Sequence, residues 1–256
     1  MSSSSLDKVL LTEIPGFRVI YLSETPSTNL AAEELLRNTE PDGPLLLTTD
    51  SQTAGLGRRD HVWFNRPGED IAATFVIPIK DCRMTRLMLP LATGLAAALA
   101  LEELGVENVD LKWPNDVMLG GKKAGGILCK SVGDSWFIAG IGLNHAPSAG
   151  RFPAELAPLV SAIADFPSPP SREESISALA GILLRTLCSG TVSEQTLLEE
   201  WSRRSHTHGR RISVKLETEV LIGLDDGLGP HGELMLRLDS GESRTLLDCL
   251  ELRPAE

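Results

Sequence analysis

Residues 87–101, LMLPLATGLAAALAL, carry no charged side chain, and no other stretch restricts the fold of this chain so tightly. A helix crossing a bilayer needs about 20 apolar residues, and this run is shorter and holds Pro90, Thr93 and Gly94. It reads instead as a buried core helix that continues to Leu104 and stops at Gly105, since glycine suits the left-handed residue that ends a helix.

The rest of the chain must supply what covers that helix. Of its 256 residues 42% are hydrophobic and 23% charged, the balance of a soluble globular protein with one large domain, or one large and one small. The net charge of -11 argues against non-specific nucleic-acid or anionic-membrane binding, which needs a basic field. The N-terminal MSSSSLDK lacks the basic-then-apolar order of a signal peptide, so a cytoplasmic location is expected. Cys82, Cys129, Cys188 and Cys249 show neither CxxC nor His spacing, which predicts reduced, mostly buried thiols without structural zinc.

Apolar patterning predicts strands at FRVIYL, PLLLTTD, DIAATFVIPI and VDLKWP, with a hairpin of KAGGILCKSV and SWFIAGIGLNH turning at Gly133–Asp134. Ser27, Thr28 and Asn29 offer capping side chains ahead of a helix LAAEELLRN. Pro, Ala and Ser dominate residues 146–171, a long loop with one short helix expected over 154–163. Two more helices follow, REESISALAGILLRTLC and SEQTLLEEWSRRS. Beyond Thr207, the runs RRISVKLE, EVLIGLDD, GELMLRLD and SRTLLDCLEL are separated by Asp-Gly and Ser-Gly turns, which predicts a small separate barrel.

Three clusters carry chemistry. SQTAGLGRRDHVW places Gly55 and Gly57 beside Arg58 and Arg59 in an acidic chain. Its glycines permit close backbone approach and its guanidiniums suit carboxylate or phosphate oxygens, though a flexible surface turn has the same composition. LKWPNDVMLGGKKAGGIL brings Lys112, Asn115, Asp116, Lys122 and Lys123 to one strand pair, with Gly125 and Gly126 where backbone passes close to a ligand; an ordinary solvated turn is the alternative. GIGLNH alternates small Gly140 and Gly142 with apolar residues before Asn144, which fits either a tight hairpin strand or a ligand wall.

Taken in order and spacing, STN, QTAGLGRR…W, KWPND, KKAGGIL and GIGLN resemble the catalytic domain of the biotin–protein ligases, and the similarity runs on into the C-terminal segment. The resemblance implies an α+β fold: a mixed central sheet flanked by helices, class II synthetase-like, over residues 1–206, and an SH3-like β-barrel over 207–256. It implies an enzyme that forms biotinyl-5′-AMP from biotin and ATP, with Mg2+ arriving on ATP, and moves biotin to a lysine of a biotin carboxyl carrier domain. It assigns Ser27, Thr28, Asn29, Gln52, Gly55, Gly125 and Gly126 to biotin, and Trp63 and Asn144 to the adenine. Arg58 would meet carboxylate and phosphate, Lys123 the reacting carboxylate and α-phosphate, Lys112 the phosphates, and Asp116 the acceptor lysine.

Three loop positions depart from the family pattern G-R-G-R-x-G-R-x-W: Leu56 and His61 replace arginines and Asp60 a glycine, which implies a weaker hold on phosphate and intermediate. Ser27 comes too early for a preceding winged helix-turn-helix, so DNA binding is not expected, whereas a homodimer is possible. A lipoate or octanoate transferase and a non-catalytic biotin-binding paralogue are the alternatives. His61, His206, His208 and His231 show no metal-ligand spacing, so no protein-bound metal is expected.

Overall fold

The structure, a computed structural model, describes residues 14–255. The N-terminal MSSSSLDK stretch and Glu256 lie outside the described residues. The six predicted strands and one further short strand, Asp116–Leu119, assemble into one seven-stranded mixed sheet. β1 (Arg18–Thr25) runs parallel to β2 (Leu45–Gln52), and α1 (Thr28–Asn38) makes the crossover that a parallel pair requires. β3 (Ile71–Pro78), β4 (Val109–Lys112), β5 (Asp116–Leu119), β6 (Lys122–Val132) and β7 (Trp136–Leu143) all pair antiparallel, giving the order β1-β2-β3-β7-β6-β5-β4.

Strand alternation sends Ile71, Leu143 and Val117 to one face, where the uncharged run forms α2 (Leu89–Glu103). Sheet on one side, and α3 (Arg172–Cys188) and α4 (Glu194–Arg204) on the other, bury α2 almost all round. Trp201 of α4 donates its indole N–H to the Leu91 carbonyl at 2.9 Å, satisfying the polar atom of a large buried ring. On the opposite face α1 packs mainly on β2, β3 and β7, burying Ala32 with Leu45, Leu47, Val76 and Ile138. Half of that face is left for a cavity.

The C-terminal strands are β8 (Arg211–Lys215), β9 (Val220–Leu228), β10 (Leu234–Leu238), β11 (Ser243–Leu246) and β12 (Glu251–Pro254). They form an antiparallel sheet in the order β11-β10-β9-β8-β12, whose hydrogen-bonded ladder is open among the described residues. Ile212, Val214, Leu236 and Leu252 continue the apolar core of the larger sheet, and the Trp113 indole N–H donates to the Gly232 carbonyl at 3.0 Å across the junction.

Three local expectations are corrected. Ser27 stands at the N-cap of α1, but its side chain makes no cap hydrogen bond, and Thr28 and Asn29 lie inside the helix with tertiary partners instead. Residues 154–163 form no α-helix: there are only 3-10 turns at Ala157–Leu159 and Ile163–Asp165, because backbone bonds from Ser161 to Lys123 and from Ile163 to Asn144 draw the segment along the sheet. The Asp226–Gly227 pair falls inside β9, where the ladder to β10 shifts register, and the chain reverses later, at Gly229 to Gly232. Cys249 is buried while the other three cysteines are half-buried, and none is in a disulfide. No helix among the described residues is long and apolar enough to cross a membrane.

Candidate active site

Cross-strand register builds the cavity floor. Lys112 pairs with Asp116, Asp116 with Gly126, Gly126 with Gly142 and Gly142 with Ala72, and directly opposed residues share a face. The row is therefore small in the middle and charged at the β4 edge. A neighbouring row joins Leu128, Gly140 and Thr74. The Trp63 indole lies on the glycine strip so closely that a Cβ on Gly142 would come 2.5 Å from its Cε2 atom.

At the inner end, residues read as a cap form a buried polar cluster. Gln52 Oε1 accepts from the Thr28 N–H at 2.9 Å and lies 3.1 Å from its hydroxyl. The Thr74 hydroxyl lies 2.8 Å from Thr28 Oγ1 and 2.7 Å from Asn29 Oδ1, while Asn29 Nδ2 donates to the Leu128 carbonyl at 3.0 Å. Ser27, Thr28 and Asn29 are all buried against this floor.

The charged end depends on an irregularity. Between Val117 and Met118 the β5–β6 register shifts, so that Met118 pairs with Lys123 while Val117 pairs with Gly125. The extra residue, Ala124, brings Lys123 to the face of Asp116, whereas strict alternation would have turned it away. Lys123 Nζ then lies 2.6 Å from Asp116 Oδ1, and Lys112 Nζ lies 3.8 Å from Oδ2.

The arginine loop forms the roof. It is an ordered hairpin in which the Trp63 N–H donates to the Gly55 carbonyl at 2.9 Å and the Gly57 N–H to the His61 carbonyl at 2.7 Å. A 3-10 turn, Arg58–Asp60, closes its tip. Arg58 donates to Asn115 Oδ1 at 3.1 Å, and Asn115 is itself held by a 2.9 Å bond from Nδ2 to the Ile127 carbonyl. Burial pulls the Arg58 guanidinium below its usual pKa, opposed by Cys249 and Asp116, yet a guanidinium stays cationic at neutral pH.

The cavity measures about 280 Å3. Arg58, Arg59, Lys112 and Lys123 line it with two carboxylates, Asp116 and Glu251, so the cations that this acidic chain brings to the cavity gather at one end. A slot with a small-residue floor, amide and hydroxyl groups at one end and cations at the other suits a flat polar ring system joined to carboxylate and phosphate groups.

Of the predicted residues, Ser27, Thr28, Asn29, Gln52, Arg58, Trp63, Lys112, Asp116, Lys123 and Gly126 line this cavity together. Gly125 points to the core face, beneath Val117 and Leu143, and Gly55 is packed against the Trp63 carbonyl and Gln52. Asn144 is buried behind the wall and donates to the Ser161 carbonyl at 3.0 Å. Leu56 and His61 are both in the lining, and the side chain of Asp60 lies outside what the structure describes. Arg66 turns to Glu69 and the Arg151 carbonyl.

Sequence reasoning missed Thr74 and the contribution of residues 249–252, which reach the same cavity from the C-terminal sheet. Thr74 was legible only as a polar residue in an otherwise apolar strand, and residues 249–252 carried no local signal. Burial raises the pKa of the Cys249 thiol, with Arg58, Lys112 and Arg59 opposing. Among the described residues no group of three His, Cys, Asp or Glu side chains is placed to hold a metal ion.

The profile of the biotin/lipoate A/B protein ligase family matches residues 21–144. The chain is 30% identical over 229 residues to the biotin–[acetyl-CoA-carboxylase] ligase of Paracoccus denitrificans, an alignment covering 86% of this chain and 94% of that one. The bifunctional ligase/repressor BirA of Bacillus subtilis is 32% identical over 167 residues, which is 64% of this chain but only 51% of the relative, so the match spans about half of that protein. The structure of the Aquifex aeolicus biotin protein ligase in complex with biotin and ATP superposes with a TM-score of 0.78 at 25% identity, covering 93% of this chain and 99% of that one. Near-complete coverage of a relative at that identity, together with the family profile over the strands that build the cavity, shows that this chain belongs to the biotin–protein ligases of the biotin/lipoate A/B protein ligase family.

Proposed function

We propose that the protein is an ATP-dependent ligase that activates biotin and attaches it to a carboxylase carrier domain. The observation that carries this reading is the joint placement of the Thr28, Asn29 and Gln52 cluster, the glycine floor, and Arg58, Lys112 and Lys123 in one cavity. The biotin ring would occupy the polar end, with its chain passing the Trp63 indole so that the carboxylate reaches Arg58 and Lys123. In the first step a biotin carboxylate oxygen attacks the α-phosphorus of ATP and pyrophosphate leaves, giving biotinyl-5′-AMP. Lys123 and Arg58 would offset the charge of the two anionic reactants and of the developing pentavalent phosphate. In the second step the neutral ε-amine of the acceptor lysine attacks the acyl carbon and AMP leaves; the amine's proton passes to solvent, and Asp116 would orient that amine.

Magnesium would enter with the ATP phosphates. Trp63 would present an aromatic face to the nucleotide, its buried Nε1 having no hydrogen-bond partner among the described residues. Residues 207–256 are read as an SH3-like unit that walls the nucleotide side, and a cytoplasmic location fits this chemistry.

The test is incubation with biotin, Mg·ATP and a carrier domain, scored by gain of one biotinyl group in the carrier's mass and by biotin-dependent ATP–pyrophosphate exchange. Lys123→Met should lower exchange roughly ten- to hundredfold, the equivalent of about 1.5–3 kcal/mol for one charge-assisted contact. Exchange that depends on lipoate rather than biotin would refute the assignment, and biotin binding without exchange would leave a non-catalytic binder.

A further inference from the structure

The cavity roof is fastened to the C-terminal sheet chiefly by one carboxylate that serves both loop arginines. Asp248, in the connection between β11 and β12, pairs with both loop arginines: Oδ1 meets Arg58, and Oδ2 lies 2.7 Å from Arg59 NH2. The Cys249 N–H donates to Asp248 Oδ1 at 2.8 Å, which fixes the carboxylate's orientation. Arg59 also reaches Glu217, in the turn between β8 and β9, at 3.4 Å.

Two further facts show that the loop is shaped around this contact. Arg59 has φ 52° and ψ 44°, the left-handed region that a residue with a Cβ enters only when its surroundings hold it there. Arg58 and Arg59 are adjacent like charges, and the tip needs an anion between them to keep both guanidiniums on the same side. Single exposed ion pairs stabilise little, but here one backbone-anchored carboxylate serves two cations at the tip of a short hairpin, so the contact governs loop position more than global stability.

We propose that Asp248 is a positioning residue that clasps the arginine loop to the C-terminal sheet, holding the cavity closed and Arg58 in place before the nucleotide arrives and while the acyl-adenylate waits for its acceptor. Positions 56 and 61 of this loop hold Leu and His, and a carboxylate from outside the loop holds the two arginines at its tip. The consequence for the adenylate rests on the ligase reading above; the closure itself does not.

The experiment therefore has two arms. In the ligand-free protein, hydrogen–deuterium exchange is followed over residues 55–63, whose Gly57 and Trp63 amides close the hairpin. Asp248→Ala should speed exchange there about five- to tenfold, Asp248→Glu should recover most of the protection, and Arg59→Ala combined with Asp248→Ala should add little to Asp248→Ala alone. In the second arm, release of preformed biotinyl-5′-AMP should accelerate about five- to tenfold in Asp248→Ala and return toward wild type in Asp248→Glu. Unchanged loop exchange in Asp248→Ala, in a protein melting as the wild type does, overturns the clasp. Faster loop exchange with unchanged adenylate release confines Asp248 to loop geometry and overturns its part in retaining the intermediate. If the wild type forms no adenylate the ligase reading fails, while the first arm still decides the clasp.

Discussion

Replacing Gly140 by alanine is the sharpest probe of how the polar end of the cavity is built. A Cβ at this position would lie 2.6 Å from Asn29 Nδ2 and 2.8 Å from its Cγ, and closer still to Oδ1. Asn29 cannot step aside cheaply, because it is buried with Oδ1 held 2.7 Å from the Thr74 hydroxyl and Nδ2 held 3.0 Å from the Leu128 carbonyl. Relieving the clash moves the amide far enough to break both contacts, and each buried polar group left unpaired costs about 1–3 kcal/mol. The lower backbone entropy of alanine in a strand returns roughly 0.5–1 kcal/mol. The net loss is about 1.5–5 kcal/mol, and for a protein of this size a loss near 3 kcal/mol lowers Tm by roughly 6–12 °C.

Urea melts of Gly140→Ala, Asn29→Ala and the double variant measure the effect as a change in midpoint at constant m-value. The double variant should be no less stable than the sum of its parts predicts and should recover part of the loss, since removing the amide removes the clash. Gly181→Ala is the control, because a Cβ there, on α3, meets nothing within 4 Å and should add about 0.5–1 kcal/mol. A Gly140→Ala midpoint equal to that of the wild type would refute the packing argument, and with it the claim that Asn29 is held rigidly against the floor.

Asp116→Asn should lower pyrophosphate exchange and biotin transfer alike, each about tenfold, because the carboxylate holds Lys123 at 2.6 Å besides the role proposed for it toward the acceptor amine; loss of transfer alone would make it a base acting only on the amine. Asp70→Ala should cost about 3–5 kcal/mol in urea melts, since fully buried Asp70 pairs with buried Arg151 and accepts from the backbone N–H groups of Arg66 and His145, and its loss strands a buried cation. Burial, with Arg172 nearby, lowers the pKa of His145, which donates from Nε2 to the Pro170 carbonyl at 2.8 Å. The unfolded chain then binds the proton more readily, so the His145 contribution is intact above pH about 6.5 and is lost as pH falls through the depressed folded value; His145→Gln should flatten stability against pH in that window.

Most of the fold was legible locally. The uncharged run became α2 within two residues of its predicted bounds, whereas of the two KAGGIL glycines assigned to the ligand only Gly126 lines the cavity and Gly125 turns to the core. The motif order also brought ten of the predicted site residues to one cavity. Sequence by itself determined which segments are strand or helix and which face of each is apolar, since those follow from side chains a few residues apart. Only the tertiary structure decided between the two readings of Ser27, Thr28 and Asn29, a helix cap or the cavity wall, and showed that an extra residue at Ala124 turns Lys123 toward Asp116. It alone decided that Asp248, far along the chain, meets Arg58 and Arg59. Register, bulges and ion pairs are set by which strands lie side by side and by distance through space, and neither quantity is carried by the local period of a sequence.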